Sequence, residues 1–293
     1  MNVYIASSKK HAGKIAEDLY LRDALIARGV SAEIVPFIKI AVIAKPFDLV
    51  IIKSIWGYHK DHQRFLKQIN TLKKRKVTLM NDYQFVLWNV DKYKYLREIT
   101  PLGIVPTVPL GVKKGRKPAE LRKALSGACD VLGTRTIVVK PRISESGHLT
   151  SIYNESERAN VPSAIGEDRQ GGFIAQPYRR SIAHGELSIV MLGGMVLYGI
   201  KRFPGVLSVK KGAVYVRSGA IPSLAKKKAM SLKGFFRKRF QTMPDICRVD
   251  LLKNGRRYEI LEVELIDPDL YFRKIPEKMK ERAVGVLDRR ILK

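Results

Sequence analysis

Three carboxylates near the C-terminal end of the chain have types and spacing that suggest chemistry. Glu262 and Glu264 lie two apart in the apolar run YEILEVELI, so on a strand their side chains share one face. Asp250 lies in the preceding run ICRVDLL, and Asn254-Gly255 between the runs predicts a hairpin. Clustered carboxylates repel each other unless a cation lies between them, and Mg²⁺ prefers carboxylate and phosphate oxygens. A metal–phosphate site is one interpretation, and a solvent-facing row of charges is the other.

The geometry of this hairpin decides whether the carboxylates meet. A two-residue Asn254-Gly255 turn pairs Asp250 with Glu259 and leaves Glu262 on the opposite face. A three-residue loop with a glycine bulge, or a bulge further along, brings Asp250 and Glu262 onto one face. A shared metal ion therefore requires an irregularity in the hairpin.

Two lysines at predicted element ends could hold phosphate groups. Lys140 closes a buried strand in VVKP, from which its long side chain can reach above the sheet. Lys92 begins a predicted helix, where free backbone N–H groups also favour anions. The polar loop at 144–147 follows Lys140 and is either a phosphate cover or an ordinary surface loop. With 55 Lys and Arg residues in the chain, it is the placement of these lysines that supports the assignment.

The composition and the motifs exclude several other classes of function. Two cysteines, Cys129 and Cys247, are too few for a disulfide framework or a structural zinc cluster and indicate a reducing compartment. The five histidines have no motif partners for a catalytic triad, and the P-loop and dinucleotide-binding patterns do not occur. No apolar run approaches the roughly 20 residues of a membrane span, and no secretory signal is visible. A cytoplasmic protein without membrane contact is expected.

The formal charge of +28, from 55 basic and 27 acidic residues, raises the question of an acidic partner. The basic clusters are dispersed along the chain and no nucleic-acid-binding motif accompanies them. A lysine-rich solvated surface explains the charge, and the alternative is binding to RNA, polyphosphate or an acidic carrier protein.

The elements that must position the chemical residues begin with an alternation of apolar runs and helical periodicity over residues 1–100. This pattern predicts a doubly wound parallel sheet. Such sheets bind ligands beyond the carboxyl ends of their strands, which makes Ser7, Ser54, Trp56 and Tyr58 candidate substrate-binding residues. Packing of Trp56 and Tyr58 against the sheet edge is the alternative.

The rest of the chain is predicted to be mostly strands. The runs at 104–110, 136–142, 172–178 and 186–203 are strand-like, and Gly193-Gly194 predicts a hairpin within the last. A basic helix is predicted over 223–240, and a terminal helix over 276–290.

Ordered motifs from about residue 48 to 272 together resemble the ATP-grasp superfamily. The closest resemblance is to the glutathione-synthetase-like carboxylate–amine ligases, and among them to the small cycloserine cyclo-ligase-like proteins. The motifs are DLVIIKSIWGYHKDHQRF (48–65), LMNDYQFVLWNVDKYKYL (79–96), GIVPTVP (103–109), VVKPRISESG (138–147), FIAQPY (173–178), GELSIVMLGG (185–194), CRVDLL (247–252) and LEVELIDPDLYF (261–272).

The resemblance implies an α/β fold with an α+β ATP-grasp part. An N-terminal doubly wound parallel-sheet domain over 1–100 would precede two ATP-grasp subdomains, 101–177 and 178–293, that sandwich ATP. The two cofactors implied are ATP and Mg²⁺ or Mn²⁺.

The resemblance also implies roles for single residues. Lys140 and Arg202 would stabilise the transferred phosphate, and Ser7, Ser54, Trp56 and Tyr58 would hold the substrate. Asp250, Glu262 and Glu264 would bind the metal ion, although many relatives have Asn in place of Glu264 and Asp in place of Gly57. The nucleotide-binding positions are Lys92, Lys140, Gln176, Pro177, Tyr178, Glu186 and Lys201.

The function implied is ATP-dependent joining of a carboxylate to an amine or another nucleophile through an acylphosphate. The expected partners are small-molecule substrates, with an acidic peptide or carrier protein as a further partner that the charge would favour. The alternative is a basic nucleic-acid- or ribosome-associated binding protein with the same fold and weak or no ligase activity.

Overall fold

The computed structural model describes residues 1–111, 117–145, 147–157, 172–203 and 212–291. Its strands form three sheets, of four, four and five strands. None of the helices in these described ranges is both long enough and apolar enough to cross a membrane.

The first sheet is parallel throughout and has the strand order β2-β1-β3-β4. Its central strands are buried on both faces, as their continuous apolar runs predict. The strands are β1 (Val3–Ser7), β2 (Ala32–Pro36), β3 (Leu49–Ile52) and β4 (Thr78–Leu79), and the flanking helices are α1 (Ala16–Ile26), α2 (Phe37–Ile43) and α3 (His62–Lys74).

Two short helices, α4 (Tyr83–Asn89) and α5 (Lys92–Glu98), lead from the first sheet to the next. The Asp91 carboxylate caps α5 by accepting hydrogen bonds from the backbone N–H groups of Tyr93 and Lys94. The same carboxylate forms an ion pair with Arg142 after the second sheet's strand β6. Lys92 is therefore the first residue of a helix, as predicted, and is held beside the second sheet.

The second sheet is antiparallel, with the order β5-β8-β6-β7. Helix α6 (Pro118–Leu132) covers one face, burying Leu125 and Cys129 against Ile137 and Phe173. The strands are β5 (Val108–Leu110), β6 (Thr136–Pro141), β7 (Ser151–Asn154) and β8 (Phe173–Pro177).

The third sheet is antiparallel, with the order β11-β10-β9-β12-β13. Helix α7 covers one face with its buried Leu232 and Phe236, while α8 belongs to the apolar cluster that also contains β1. The elements are β9 (Glu186–Leu192), β10 (Met195–Phe203), β11 (Gly212–Arg217), α7 (Ser223–Phe240), β12 (Ile246–Asn254), β13 (Arg257–Glu264) and α8 (Glu277–Ile291).

The face of β9 opposite α7 carries apolar side chains in one half of the strand and polar side chains in the other. Val190 and Leu192 pack into the apolar cluster with the first sheet, whereas Glu186 and Ser188 in the first half are polar and buried. Because alternate residues of a strand share a face, this polar half places charged groups where the second sheet approaches the third.

The mixed α/β class, the parallel first sheet and the Gly193-Gly194 hairpin are confirmed. The sequence interpretation missed α2, α4, β7 and β11. The domain boundaries at residues 100 and 177 stay a prediction.

Candidate functional site

A cleft of about 540 Å³ is bordered by residues from all three sheets and their loops. Most of the residues predicted for the site meet in this cleft. They are Trp56, Tyr58, Lys92, Lys140, Gln176, Pro177, Tyr178, Glu186, Arg202, Asp250, Glu262 and Glu264.

The irregularity that the metal-site hypothesis required is present in the β12–β13 hairpin. The turn residues are Gly255 and Arg256, one position later than predicted, since Asn254 pairs with Arg257. The pairing then shifts between Leu251 and Asp250, which leaves Leu261 as an extra residue on β13. Asp250 consequently lies directly opposite Glu262 on the cleft-facing side of the sheet.

Asp250 is the most heavily bonded carboxylate of the cleft and is 2% exposed. It accepts hydrogen bonds from Ser188 Oγ at 2.7 Å, from Arg202 at 2.7 Å and from two nitrogens of Arg248 at 3.0 Å. Burial alone would raise the pKa of Asp250, but the two guanidiniums hold it well below its usual range. Asp250 is therefore charged at neutral pH.

Glu262 lies between the two predicted phosphate lysines. Its carboxylate is 3.0 Å from Lys92 Nζ and 3.7 Å from Lys140 Nζ. Burial opposes ionisation, yet these ammonium groups lower the pKa of Glu262. Burial and the neighbouring Lys92 lower the pKa of Lys140, although Glu262 favours its charged form. The site thus holds a desolvated lysine whose charge an anionic ligand would stabilise.

Two further acids of the same face remain poorly stabilised as anions. Burial raises the pKa of Glu264 to about 7 although Arg248 forms an ion pair with it. Burial also raises the pKa of Glu186, which pairs with Arg202 at 2.5 Å. Each of these acids nevertheless has a cationic partner.

The described residues contain no group of three or more His, Cys, Asp or Glu side chains arranged to hold a metal ion. Asp250, Glu262 and Glu264 line one cleft, but each is engaged by Lys or Arg. Their role as metal ligands stays a prediction.

The connection from β8 to the third sheet forms another border of the cleft. Gln176 donates from Nε2 to Thr107 Oγ1 at 2.8 Å, and the Tyr178 N–H donates to the Thr136 carbonyl at 3.0 Å. Arg179, which the sequence interpretation did not include, forms an ion pair with Glu259 of β13 at 2.9 Å. The first two bonds lie within the second sheet, and the ion pair joins its end to the edge strand β13 of the third sheet beside the cleft.

Three predicted site residues do not line the cleft. Ser7 and Ser54 are buried, and their hydroxyls donate to the Ser54 carbonyl and to Asp18. Lys201 is exposed, with its ammonium over the Phe203 ring, because it points to the face opposite its neighbour Arg202. The structure does not bring Ser7, Ser54 or Lys201 into the cleft, and their binding roles stay predictions.

Arg248 is the main site residue that the sequence analysis missed. It is 4% exposed, contacts both Asp250 and Glu264, and lies over the Tyr271 ring at 5.7 Å. The available signal was its position two residues before Asp250 in an otherwise apolar run, which places both side chains on one face. A charged residue in a buried strand requires a partner.

The loop after Lys140 is held across the cleft by contacts with other elements. Lys92 donates from Nζ to the Ser144 carbonyl and from its backbone N–H to the Arg142 carbonyl. Glu145 accepts a hydrogen bond from the backbone N–H of Gly57, whose positive φ of 99° turns the chain toward it. Ser146 lies outside the described residues, and Glu145 and Gly147 line the cleft.

A buried ion pair attaches the first sheet to the loop that follows β13. Lys53 contacts Glu17 at 2.6 Å and donates to the Pro268 carbonyl at 2.7 Å, with side chains 3% and 7% exposed. The Glu17 carboxylate also accepts the backbone N–H groups of Leu270 and Phe272. This pair thereby positions the segment that carries Asp267, Asp269 and Tyr271 into the cleft.

Lys53→Met is expected to lower the free energy of unfolding by about 3–5 kcal/mol, because it leaves the Glu17 carboxylate buried without its cation. Urea denaturation of the wild type and the variant measures this loss. Lys39→Met, at an exposed position of α2, is the matched control and should change stability by no more than about 0.5 kcal/mol. Equal stability of the two variants would contradict a supporting role for the pair.

Comparison with solved structures identifies the class of fold. D-cycloserine synthetase DcsG matches with a TM-score of 0.81 and 19% identity, over 99% of this chain and 100% of that chain. An ATP-grasp RimK domain protein from Sphaerobacter thermophilus gives 0.66 and 15%, over 100% of both chains. D-alanine–D-alanine ligase from Bacillus anthracis gives 0.65 and 14%, over 100% of this chain and 97% of that chain. The chain has the ATP-grasp fold over its whole described length.

The N-terminal part of the chain also matches a family model. Residues 3–81 match the family model of the N-terminal domain of D-cycloserine synthetase DcsG. No protein of curated function matches the sequence. The resemblance to ATP-grasp proteins, and among them to the cycloserine-synthetase-like ones, is confirmed.

Proposed function

We propose that this protein is an ATP-dependent ligase of the cytoplasm that joins a carboxylate to an amine or another nucleophile. The observation that carries the proposal is the alternation of cations and carboxylates in one cleft of an ATP-grasp fold. Lys92, Lys140, Arg202 and Arg248 face this cleft, and the solved neighbours with the same fold are ligases.

The cleft fits a nucleotide in size and chemistry. Its volume lies within the range of about 300–1,000 Å³ that is usual for small-molecule sites. The border formed by Gln176, Pro177 and Tyr178 would receive the adenine, and Lys92 and Lys140 the phosphates. A ligase from Bacillus anthracis with this fold was solved in complex with ATP.

Asp250, Glu262 and Glu264 would hold Mg²⁺ or Mn²⁺. They offer only oxygen donors, which these ions prefer, and the hairpin bulge brings Asp250 opposite Glu262. In this structure the three acids pair with lysines and arginines. Phosphate oxygens of a bound nucleotide would attract the same lysines and arginines. When bound, the ion would neutralise charge on the phosphates.

The protein's own residues would act mainly by positioning and by neutralising charge. A carboxylate oxygen of the substrate attacks the γ-phosphorus while the bond to the β–γ bridging oxygen breaks, giving an acylphosphate and ADP. Lys140 and Arg202 stabilise the negative charge on the transferred group. The nucleophile then attacks the acyl carbon, phosphate leaves, and the nucleophile loses its proton. The loop carrying Ser144 and Glu145 excludes water from the acylphosphate.

Small substrates and peptides are both compatible with this cleft. Among the neighbours, the macrocyclase MdnC from Microcystis aeruginosa was solved with its precursor peptide bound, at a TM-score of 0.63 and 13% identity over 98% of this chain and 99% of that chain. The charge of +28 would favour an acidic peptide or carrier protein as a partner of this chain.

The proposal predicts Mg²⁺-dependent binding of ATP that the double variant Glu262→Ala/Glu264→Ala loses. The variant removes two of the three oxygen ligands and the carboxylate between Lys92 and Lys140. Isothermal calorimetry with Mg·ATP measures the effect, and Glu120→Ala, at an exposed position of α6, is the control.

Absence of Mg·ATP binding by the wild type would overturn the ligase proposal. The basic surface would then be the main clue to function. Binding to RNA with an affinity that falls steeply as salt rises would support the nucleic-acid alternative.

A further inference from the structure

Two acidic side chains that line the cleft form no ion pair with a described Lys or Arg. They are Glu145, in the loop after Lys140, and Asp267, after β13. Asp250, Glu186, Glu262 and Glu264 each form an ion pair with Lys or Arg. Within the described ranges, Asp267 has no ion pair and Glu145 pairs only with His59. Glu145 and Asp267 thus differ from the four acids of the cleft that pair with Lys or Arg.

One oxygen of each of these carboxyl groups is buried. Glu145 Oε2 and Asp267 Oδ2 are inaccessible to solvent and have no hydrogen-bond partner among the described residues. Burial and the nearby charge of Glu145 raise the pKa of Asp267, although Lys53 and Arg248 oppose this. A buried carboxyl oxygen without a hydrogen bond is costly, even though the other oxygen of Glu145 accepts the backbone N–H of Gly57. The arrangement indicates that a cation from outside the chain completes it.

The side chains around Glu145 and Asp267 favour an organic cation over a metal ion. Trp56, which is 41% exposed, and Tyr58 line the cleft beside the carboxylates, and aromatic faces attract ammonium and guanidinium groups. His59 is 8% exposed in its side chain and neither ring nitrogen forms a hydrogen bond. Its Nδ1 lies 3.2 Å from Glu145 Oε1, at an angle unsuited to a hydrogen bond. The imidazole of His59 therefore lies beside Glu145 and against the His148 ring.

We propose that Glu145 and Asp267 bind an organic cation, a protonated amine or a guanidinium, against the rings of Trp56 and Tyr58. The assignment of the cation to a substrate rests on the proposed function, whereas the binding of a cation at Glu145 and Asp267 does not. The substrate class would be a carboxylic acid or a nucleophile that also carries a cationic group. This group anchors the molecule while the reacting atoms lie toward Lys140 and Arg202.

Methylguanidinium and the neutral, nearly isosteric methylurea are the probes that test this proposal. The chain has two tryptophans, Trp56 and Trp88. Trp88 is buried in the apolar cluster that also contains Phe236 of α7, so a change in fluorescence on addition of a probe reports on Trp56. We expect saturable binding of methylguanidinium and at least tenfold weaker binding of methylurea. Equal binding of the two would overturn the proposal.

Variants that keep shape but remove charge locate the binding. Glu145→Gln/Asp267→Asn is expected to weaken methylguanidinium binding at least tenfold and to retain Mg·ATP binding. Glu120→Gln, the same type of change on the exposed face of α6, should leave both unchanged. Unaltered methylguanidinium binding by the double variant would overturn the proposal. Absence of Mg·ATP binding by the wild type would overturn only the proposed function.

Two further measurements separate this site from a metal site and from a structural role. If Mg²⁺ alone, at matched ionic strength, saturates the Trp56 signal and the double variant abolishes this, the site is a metal site and the proposal fails. Asp267→Asn alone should raise the melting temperature by about 2–4 °C, since it replaces a carboxyl group whose ionisation burial and Glu145 disfavour. A lower melting temperature would indicate a structural role for Asp267 and would contradict the proposal.

Discussion

Lys140→Met is expected to lower the rate of ATP-dependent phosphate release by about 100- to 1,000-fold. The Lys140 side chain is 9% exposed and its ammonium lies 3.7 Å from Glu262. Burial and the neighbouring Lys92 lower the pKa of this lysine, and an anionic ligand beside it would favour its charged form. A group kept in this state stabilises the charge that develops on a transferred phosphoryl group, and methionine fills the same space without charge.

The measurement is phosphate release with saturating Mg·ATP and a pool of amino acids and small carboxylates. Lys253→Met, at the exposed end of β12, is the control and should stay within twofold of the wild type. The melting temperature of Lys140→Met should remain close to that of the wild type, because the change removes a charge that burial disfavours. A rate within tenfold of the wild type would contradict the assignment of Lys140 to the transferred phosphate.

Asp250→Ala is expected to lower the free energy of unfolding by about 3–5 kcal/mol. The carboxylate accepts hydrogen bonds from Arg202, Arg248 and Ser188, and its removal leaves the Arg248 guanidinium buried with Glu264 as its remaining acidic partner. Binding of Mg·ATP should be lost as well, because Asp250 lies opposite Glu262 in the proposed metal site.

Asp23→Ala is the control for Asp250→Ala. It breaks the exposed ion pair between Arg22 and Asp23 and should cost about 1 kcal/mol or less. Urea denaturation measures both variants. Similar losses in the two would show that Asp250 does not organise the arginines of the cleft.

The contribution of Asp250 should also depend on pH in a defined direction. Its pKa is held below the unfolded value of about 3.9, so the carboxylate stabilises the fold fully above that pH. The contribution is lost as pH falls through the lower, folded pKa. The difference in stability between the wild type and Asp250→Asn should therefore shrink below about pH 4.

Most elements of the fold could be predicted because their signals are local. The basic helix α7 and the hairpin of β9 and β10 occur where periodicity and the two glycines placed them. Helix α2 was missed because its sequence, FIKIAVI, is rich in β-branched residues and continues a strand-like run. Here tertiary packing overrides intrinsic propensity, with Phe37 and Ile40 buried against the sheet.

The types of residue that form the site could be predicted from the sequence, but not every residue that reaches the cleft. Lys201 and Arg202 are adjacent in sequence, and only strand pairing decides that Arg202 faces the cleft. Ser7 and Ser54 do end strands at the expected edge, yet their hydroxyls turn inward to Asp18 and to backbone. Position along a strand is encoded locally, whereas the direction of a side chain at a strand end depends on its neighbours.

The sequence by itself determined the order of most strands and helices, the run containing Glu262 and Glu264, and the placement of Lys92 and Lys140 at element ends. These features follow from spacing within one element, which periodicity encodes. Only the tertiary structure decided that a bulge sets Asp250 opposite Glu262, that Arg248 joins them, and that Glu145 meets Asp267 without a cation. Those contacts join residues distant in the chain, and their geometry depends on register and on loops that meet only when the sheets pack together.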